Sequence, residues 1–411
     1  MQKRTSLFKK SIYSLGILTF LLVIFIMTGC CSKTGTEQQQ TQQSQNISSQ
    51  AEAINKVQND PLGLGNNIVK NPQEPDSDKS VADNPFRKQY IDEQKAVEQP
   101  KEKKKKKTIG FMISPKGLDD KGFNEIAHRG LEEAEKIYDF ETTLIEPSTL
   151  QDKEATLRFF ASQKFDAIIA LGDHSAEVKK IAVEHPETEF YVIDSDIVDG
   201  NMKGIAFRDG EGAFLCGYLA AKLTKSQKVG FIGGTPCKVM DRFETGYRNG
   251  VKYANSEAEV VVEYIAKTPY DFSGFSNDND GNKIGDKMYK EGVDVIFPAC
   301  GSSALGVIDA AETNQKFVFG VDDNQDFLLP KYVVTSMIKR VDKVIIYIAE
   351  NVCNSNAKNL KTSYGIAEDA LGLTAFEYSK GKTVSVELIS EIEGIKEKIK
   401  NGKINCMETI K

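Results

Sequence analysis

From Thr108 onward, short apolar runs alternate with stretches of helical periodicity. The first run, TIGFMI, occupies 108–113. Others fall at 167–171, 190–193, 228–232, 259–265, 293–298, 316–321 and 333–338. Between them apolar residues recur at helical spacing, as Ile126, Leu131, Ala134 and Ile137 do within 124–138, and helical stretches also fall at 175–184, 212–223 and 302–312. This alternation predicts βαβ units and parallel sheets, an α/β fold. About eight to ten strands are too many for one small sheet, so two doubly wound lobes are expected. In such sheets a ligand sits beyond the carboxyl ends of the strands. The residues to read are therefore Ser114, Gly172-Asp173, Asp194, Asp196, Thr235, Cys300-Gly301-Ser302, Asp322-Asp323 and Lys339-Arg340. Several acids with one or two cations suit a polar, hydroxyl-bearing ligand, because carboxylates accept from hydroxyls and a Lys donates.

The segment before Thr108 is a different material. Lys3, Arg4, Lys9 and Lys10 precede an apolar run from Ile12 to about Met27 that ends in Thr28-Gly29-Cys30. A basic start, a short apolar stretch and a small residue before the cut describe an export signal over 1–29. The Met-Thr-Gly-Cys ending resembles a bacterial lipobox, which implies cleavage before Cys30 and acylation of its thiol. An uncleaved anchor helix is the alternative. Either way the body is exported and tethered to the extracytoplasmic face of a membrane. Residues 30–107 are rich in Gln, Ser, Asn and charge and lack apolar periodicity, so a disordered tether is expected. A loose coil of ~75 residues reaches on the order of 50 Å. The lysine run 103–107 reads either as a contact with anionic headgroups or as a solvated charge run.

Composition excludes several classes. The net charge of −6 argues against a nucleic-acid-binding body. Seven scattered cysteines form no C-x-x-C pair, and three histidines make no metal-ligand pattern with them. No metal or other cofactor is therefore expected. A Ser nucleophile needs a base beside it, and no G-x-S-x-G motif is present, so the chain is not read as an enzyme. Trp is absent, so an aromatic clamp must use Phe or Tyr.

Five segments, in order, resemble the basic membrane protein family, which resembles the purine-nucleoside receptors of bacterial ABC transporters with a type I periplasmic-binding fold. They are GLDDKGFNEIAHRGLEEA (117–134), FRDGEGAFLCGYLAAKLTKSQKVGFIGG (207–234), DRFETGYRNGVKYA (241–254), FGVDDNQ (319–325) and VVTSMIKRVD (333–342). The tail ISEIEGIKEKIKNGKI (389–404) also fits. The resemblance implies a first lobe from 108–208 plus 339–366 and a second from 209–338 plus 367–411. It implies crossings near Phe207-Arg208, Lys339-Arg340 and 365–370.

By the same resemblance Phe123 stacks on a base, Phe275 closes on it from the other lobe, and Asp322 accepts from the two ribose hydroxyls. Lys339 reaches the sugar, Gly301 lets backbone approach the ligand, and Asp194 completes the set; Asn124 is added on its own position, next to the stacking Phe with an amide able to donate to the ligand. Phe272 replaces Phe275 if the register shifts. Core packing for the rings and surface ion pairing for the charges are the bland alternatives. Two departures stand out. Ser114 occupies the position where the family has an Asp that contacts the base, and Asp173-His174 replaces an apolar or aromatic residue after Gly172. The expectation is a monomeric solute-binding lipoprotein that hands a nucleoside to a membrane permease, with altered base preference. A sugar-binding protein of the same fold and a surface adhesin are the rival readings.

Overall fold

The computed structural model describes residues 105–114, 117–147, 150–354 and 358–408. The export signal, Cys30, Cys31 and nearly all of the expected tether lie outside these residues. Lys107, placed at the tether's end from sequence, is instead the first residue of a strand, with its ammonium 2.7 Å from Asp166.

Two sheets organise the body. The first contains β1 (Lys107–Met112), β2 (Phe140–Ile145), β3 (Ala167–Ala170), β4 (Glu189–Ile193), β5 (Val198–Asp199), β6 (Met202–Phe207) and β12 (Ser363–Tyr364), with order β12-β6-β4-β3-β1-β2 and β5 on β6. The second contains β7 (Lys228–Gly233), β8 (Glu259–Tyr264), β9 (Val295–Ala299), β10 (Phe317–Asp322), β11 (Val333–Lys339) and β13 (Leu371–Leu373), in the order β13-β11-β10-β9-β7-β8. All pairings are parallel except β5 with β6 and β11 with β13. This is the two-lobed, doubly wound α/β architecture read from the alternation, with ten strands of four residues or more among the described residues.

The burial pattern explains why these strands were legible. A parallel sheet is covered on both faces, so its inner strands are apolar throughout. β3 (AIIA) and β9 (VIFPA) are buried at every residue. β2 (FETTLI) and β6 (MKGIAF) carry Glu, Thr and Lys and gave no such signal; β2 is an edge strand, half in water.

Helices fill the connections: α1 (Phe123–Ile137), α2 (Leu150–Ser162), α3 (Ser175–Ala182), α4 (Asp209–Leu223), α5 (Lys238–Ala254), α6 (Asp278–Lys290), α7 (Ser303–Asn314), α8 (Val341–Cys353) and α9 (Val386–Lys400). In β1, Ile109 and Phe111 join one hydrophobic cluster and Met112 another, as a period of two requires. α2 sits close because Gly110 has no side chain; a Cβ there would stand 2.6 Å from the Phe160 ring.

Three segments pass between the lobes. Phe207 ends β6, and the chain enters α4, which packs on α5. Lys339 ends β11, and the chain enters α8, which packs on α1. Residues 365–370 lead from β12 to β13. No helix among the described residues is long and apolar enough to cross a membrane.

Candidate functional site

The carboxyl ends of both sheets face one cavity of about 890 Å³, counted out to its mouth. Ser114, Phe123, Asn124 and Asp194 line it from the first lobe, and Phe275, Gly301, Asp322 and Lys339 from the second; Lys339, expected at the start of the first lobe's returning part, is instead the last residue of β11 in the second sheet. All eight residues singled out for ligand contact therefore share one space. Sheet order gives the cavity a direction. Lys339 and Asp194 follow strands next to the crossings, while residues after β1, β3 and β8 lie toward the far side.

At the crossing side stands a buried charge cluster. The Lys339 ammonium lies 2.6 Å from Asp194 and 3.0 Å from Asp209, with 2% of its side chain exposed. Phenyl rings of Phe123, Phe207 and Phe243 surround it at 5.1, 4.9 and 5.6 Å from their centroids. Burial works against the charge, but Asp194, Asp209 and Asp322 outweigh it and raise the Lys339 pKa. This is a desolvated pair rather than the surface pair weighed from sequence, and removing one partner would leave a buried charge. Asp209 opens α4 and also accepts from Arg242 at 3.0 Å. Sequence reading missed Asp209, although a carboxylate directly after a crossing strand, at a helix N-terminus, is a readable signal.

Asp322 differs from its neighbours. Only 8% of the residue is exposed, yet its carboxylate has no hydrogen-bond or ion-pair partner among the described residues. Burial, with Asp120, Asp194 and Asp209 nearby, pushes its pKa up to about 7 against the pull of Lys339. Asp194 and Asp322 close β4 and β10, and both hold φ at 69°, the left-handed region that Asp tolerates better than most residues. Strained backbone at the ends of equivalent strands in both lobes aims both carboxylates at the same space.

The two rings are held by local chemistry. Asp120 accepts from the backbone N–H groups of Gly122, Asn124 and Glu125 and so fixes the start of α1, where Phe123 stands. The Asn124 amide accepts from the Ser114 N–H and donates to its carbonyl, so this side chain ties β1's exit loop to α1. Phe275 packs on bare backbone: a Cβ on Gly234 would stand 2.4 Å from its ring. The Phe275 carbonyl accepts from the Ser302 N–H at 3.0 Å, and Ser303 Oγ donates to the Gly274 carbonyl at 2.8 Å. Gly301 turns there with φ +57°, against Phe275. Phe272, the alternative ring, lines the same cavity and stacks on Phe275 with centroids 6.1 Å apart.

The far side holds Lys153, His174, Tyr270 and Phe272. Lys153 comes from α2, which the sequence reading did not name, and nothing in LQDKEATLRFF marks this lysine. Among the described residues no group of three or more His, Cys, Asp or Glu is arranged to hold a metal ion.

Residues 106–409 match the family described as ABC transporter substrate-binding protein, PnrA-like. The chain belongs to this family. Basic membrane protein A of Borreliella burgdorferi is 33% identical over 299 residues, covering 70% of this chain and 84% of that one. The CD4+ T-cell-stimulating antigen of Listeria monocytogenes is 30% identical over 328 residues, 73% of this chain and 88% of that one. A solute-binding protein of an ABC transporter system from Aeropyrum pernix superposes with a TM-score of 0.65 at 22% identity, covering 73% of this chain and 93% of its own. The fold is that of type I periplasmic-binding proteins. As a PnrA-like substrate-binding protein, the chain takes a small solute for an ABC transporter.

Proposed function

We propose that this protein is a membrane-tethered receptor that captures a purine nucleoside between its lobes and presents it to a permease. One observation carries the reading: two phenyl rings from opposite lobes and a buried carboxylate without a partner line one cavity. The rings offer flat faces for a base, worth about 1–3 kcal/mol each. Asp322 offers two oxygens to vicinal ribose hydroxyls, and Lys339 sits beside it as a donor. Seen this way, Asp322's missing partners are supplied by the ligand. Asp194 and Asn124 keep those groups in place. Cys30 carries the lipid that holds the body at the extracytoplasmic face, as the 27–30 tetrapeptide suggests.

The test is calorimetry of the purified 105–411 body with nucleosides, free bases, ribose and hexoses. Nucleosides should bind with micromolar affinity or better and be recovered intact. Asp322→Ala should lose at least ~10-fold in affinity while keeping its fold, as expected when a charge-assisted hydrogen bond is removed. If ribose or a hexose binds and no nucleoside does, the base-stacking reading fails. Mass spectrometry showing an unmodified Cys30 in the mature protein removes the lipid.

A further inference from the structure

The far end of the cavity contains two polar groups that the reading above leaves without work. Lys153 is buried, at 2% exposure, with its ammonium over the face of Phe272 at 4.7 Å from the ring centroid. Among the described residues no carboxylate comes within ion-pairing distance of it, and no hydrogen bond engages it. His174, 3% exposed, stands edge-on to the same ring with centroids 5.8 Å apart. Its Nε2 is buried and has no hydrogen-bonding partner. Polar groups left without partners on buried residues are rare, because the hydration they lose goes uncompensated. Two of them against one ring, both lining the cavity, mark a place where a ligand supplies the partners.

Their position says which part of the ligand. Lys153 and His174 belong to α2 and the loop after β3, away from the crossings, whereas Asp322 and Lys339 end β10 and β11 beside them. With ribose hydroxyls on Asp322 and the base between the rings, the six-membered ring of a purine extends toward the far end. In inosine and adenosine, which carry nothing at position 2, the group reaching furthest is the exocyclic one at position 6. An ammonium only donates, so it pairs with an oxygen there and repels an amino group. Imidazole is adaptable: the neutral ring has one donor and one acceptor nitrogen, and a nearby ammonium favours the form whose lone pair faces it. That lone pair then accepts from the ring N–H next to the carbonyl. Burial, together with Lys153, holds the His174 pKa down at about 3, so the ring is neutral at physiological pH.

We propose that Lys153 and His174 form a subsite that reads the C=O and adjacent N–H of a 6-oxopurine, making inosine- and guanosine-type nucleosides the preferred ligands over adenosine. This rests on the nucleoside reading and sharpens it. The subsite would take over the base-reading task at the end where Ser114 brings no charge.

Three ligands on the wild-type body decide it: inosine, adenosine, and purine riboside, which carries no group at position 6. Inosine should bind at least about 10-fold more tightly than either of the others, the ratio expected of a charge-assisted hydrogen bond. Lys153→Met, close in shape and uncharged, should bring inosine to the level of purine riboside and leave adenosine no weaker. Equal affinities for inosine and adenosine in the wild type overturn the subsite while leaving nucleoside capture standing. An unchanged ratio in Lys153→Met overturns it too. If none of the three binds, nucleoside capture itself falls.

Discussion

Asp322 shows how one carboxylate can couple capture to pH. Burial, with Asp120, Asp194 and Asp209, pushes its pKa up to about 7 against the pull of Lys339. An unfolded Asp titrates near about 3.9, so between these values the folded protein holds a proton that the unfolded chain releases. That contribution to stability is complete below the unfolded value and is lost as pH rises through about 7. Hydroxyls donate to the ionised form, so binding should expel the proton and affinity should rise from about pH 6 to about pH 8. Calorimetry near about pH 6.5 in two buffers of different ionisation enthalpy reads this directly; equal heats would mean that no proton leaves. The residue's place in the cavity was readable in advance, because FGVDD ends a buried strand and resembles a known pattern. Its isolation was not, since whether a carboxylate finds a partner depends on which side chains from distant segments reach it. Lys153 is the converse case. Lysines on helices are almost always solvated, and it is the packing of α2 in the folded body, with Phe272 of the other lobe over the ammonium, that buries this one.

At the level of elements, the second lobe relies on helices that touch backbone to backbone. A Cβ on Gly217 or Gly250 would meet the carbonyl oxygen of Tyr247 or Phe214 at 2.1 Å, and a Cβ on Gly246 would meet that of Gly210 at 2.3 Å. α4 and α5 therefore cross too closely for any side chain at these points. Gly250→Ala should force the pair apart and cost about 1–3 kcal/mol, seen as a lower urea midpoint with an unchanged slope. A midpoint equal to wild type would show that the helices can shift freely. The alternation that revealed the strands says nothing of such crossings. Apolar stripes announce that a helix has a buried face, while the distance between two helices is set by the small residues both sequences happen to align.

For the molecule as a whole, the lobes are bridged by polar contacts beyond the charge cluster. Arg129 of α1 lies 2.8 Å from Asp323, and the Gln325 amide donates to the Lys121 carbonyl at 2.8 Å. A ligand touching both lobes adds to these and shifts the population toward the bridged form. Scattering from the 105–411 body should show a smaller radius of gyration with ligand, and Arg129→Ala should weaken binding by roughly 2- to 5-fold through closure alone, in line with an exposed ion pair. No change in radius on saturation would argue for a rigid cavity instead. The three crossings have a further consequence. β12 and α8 complete the first lobe, yet they come from residues 341–364, after the whole second sheet except β13. During synthesis the early half waits, with one sheet edge open and one helix face of α1 bare, until its late strand and helix leave the ribosome. The interval is one in which a holding chaperone or the export machinery would meet an unfinished chain.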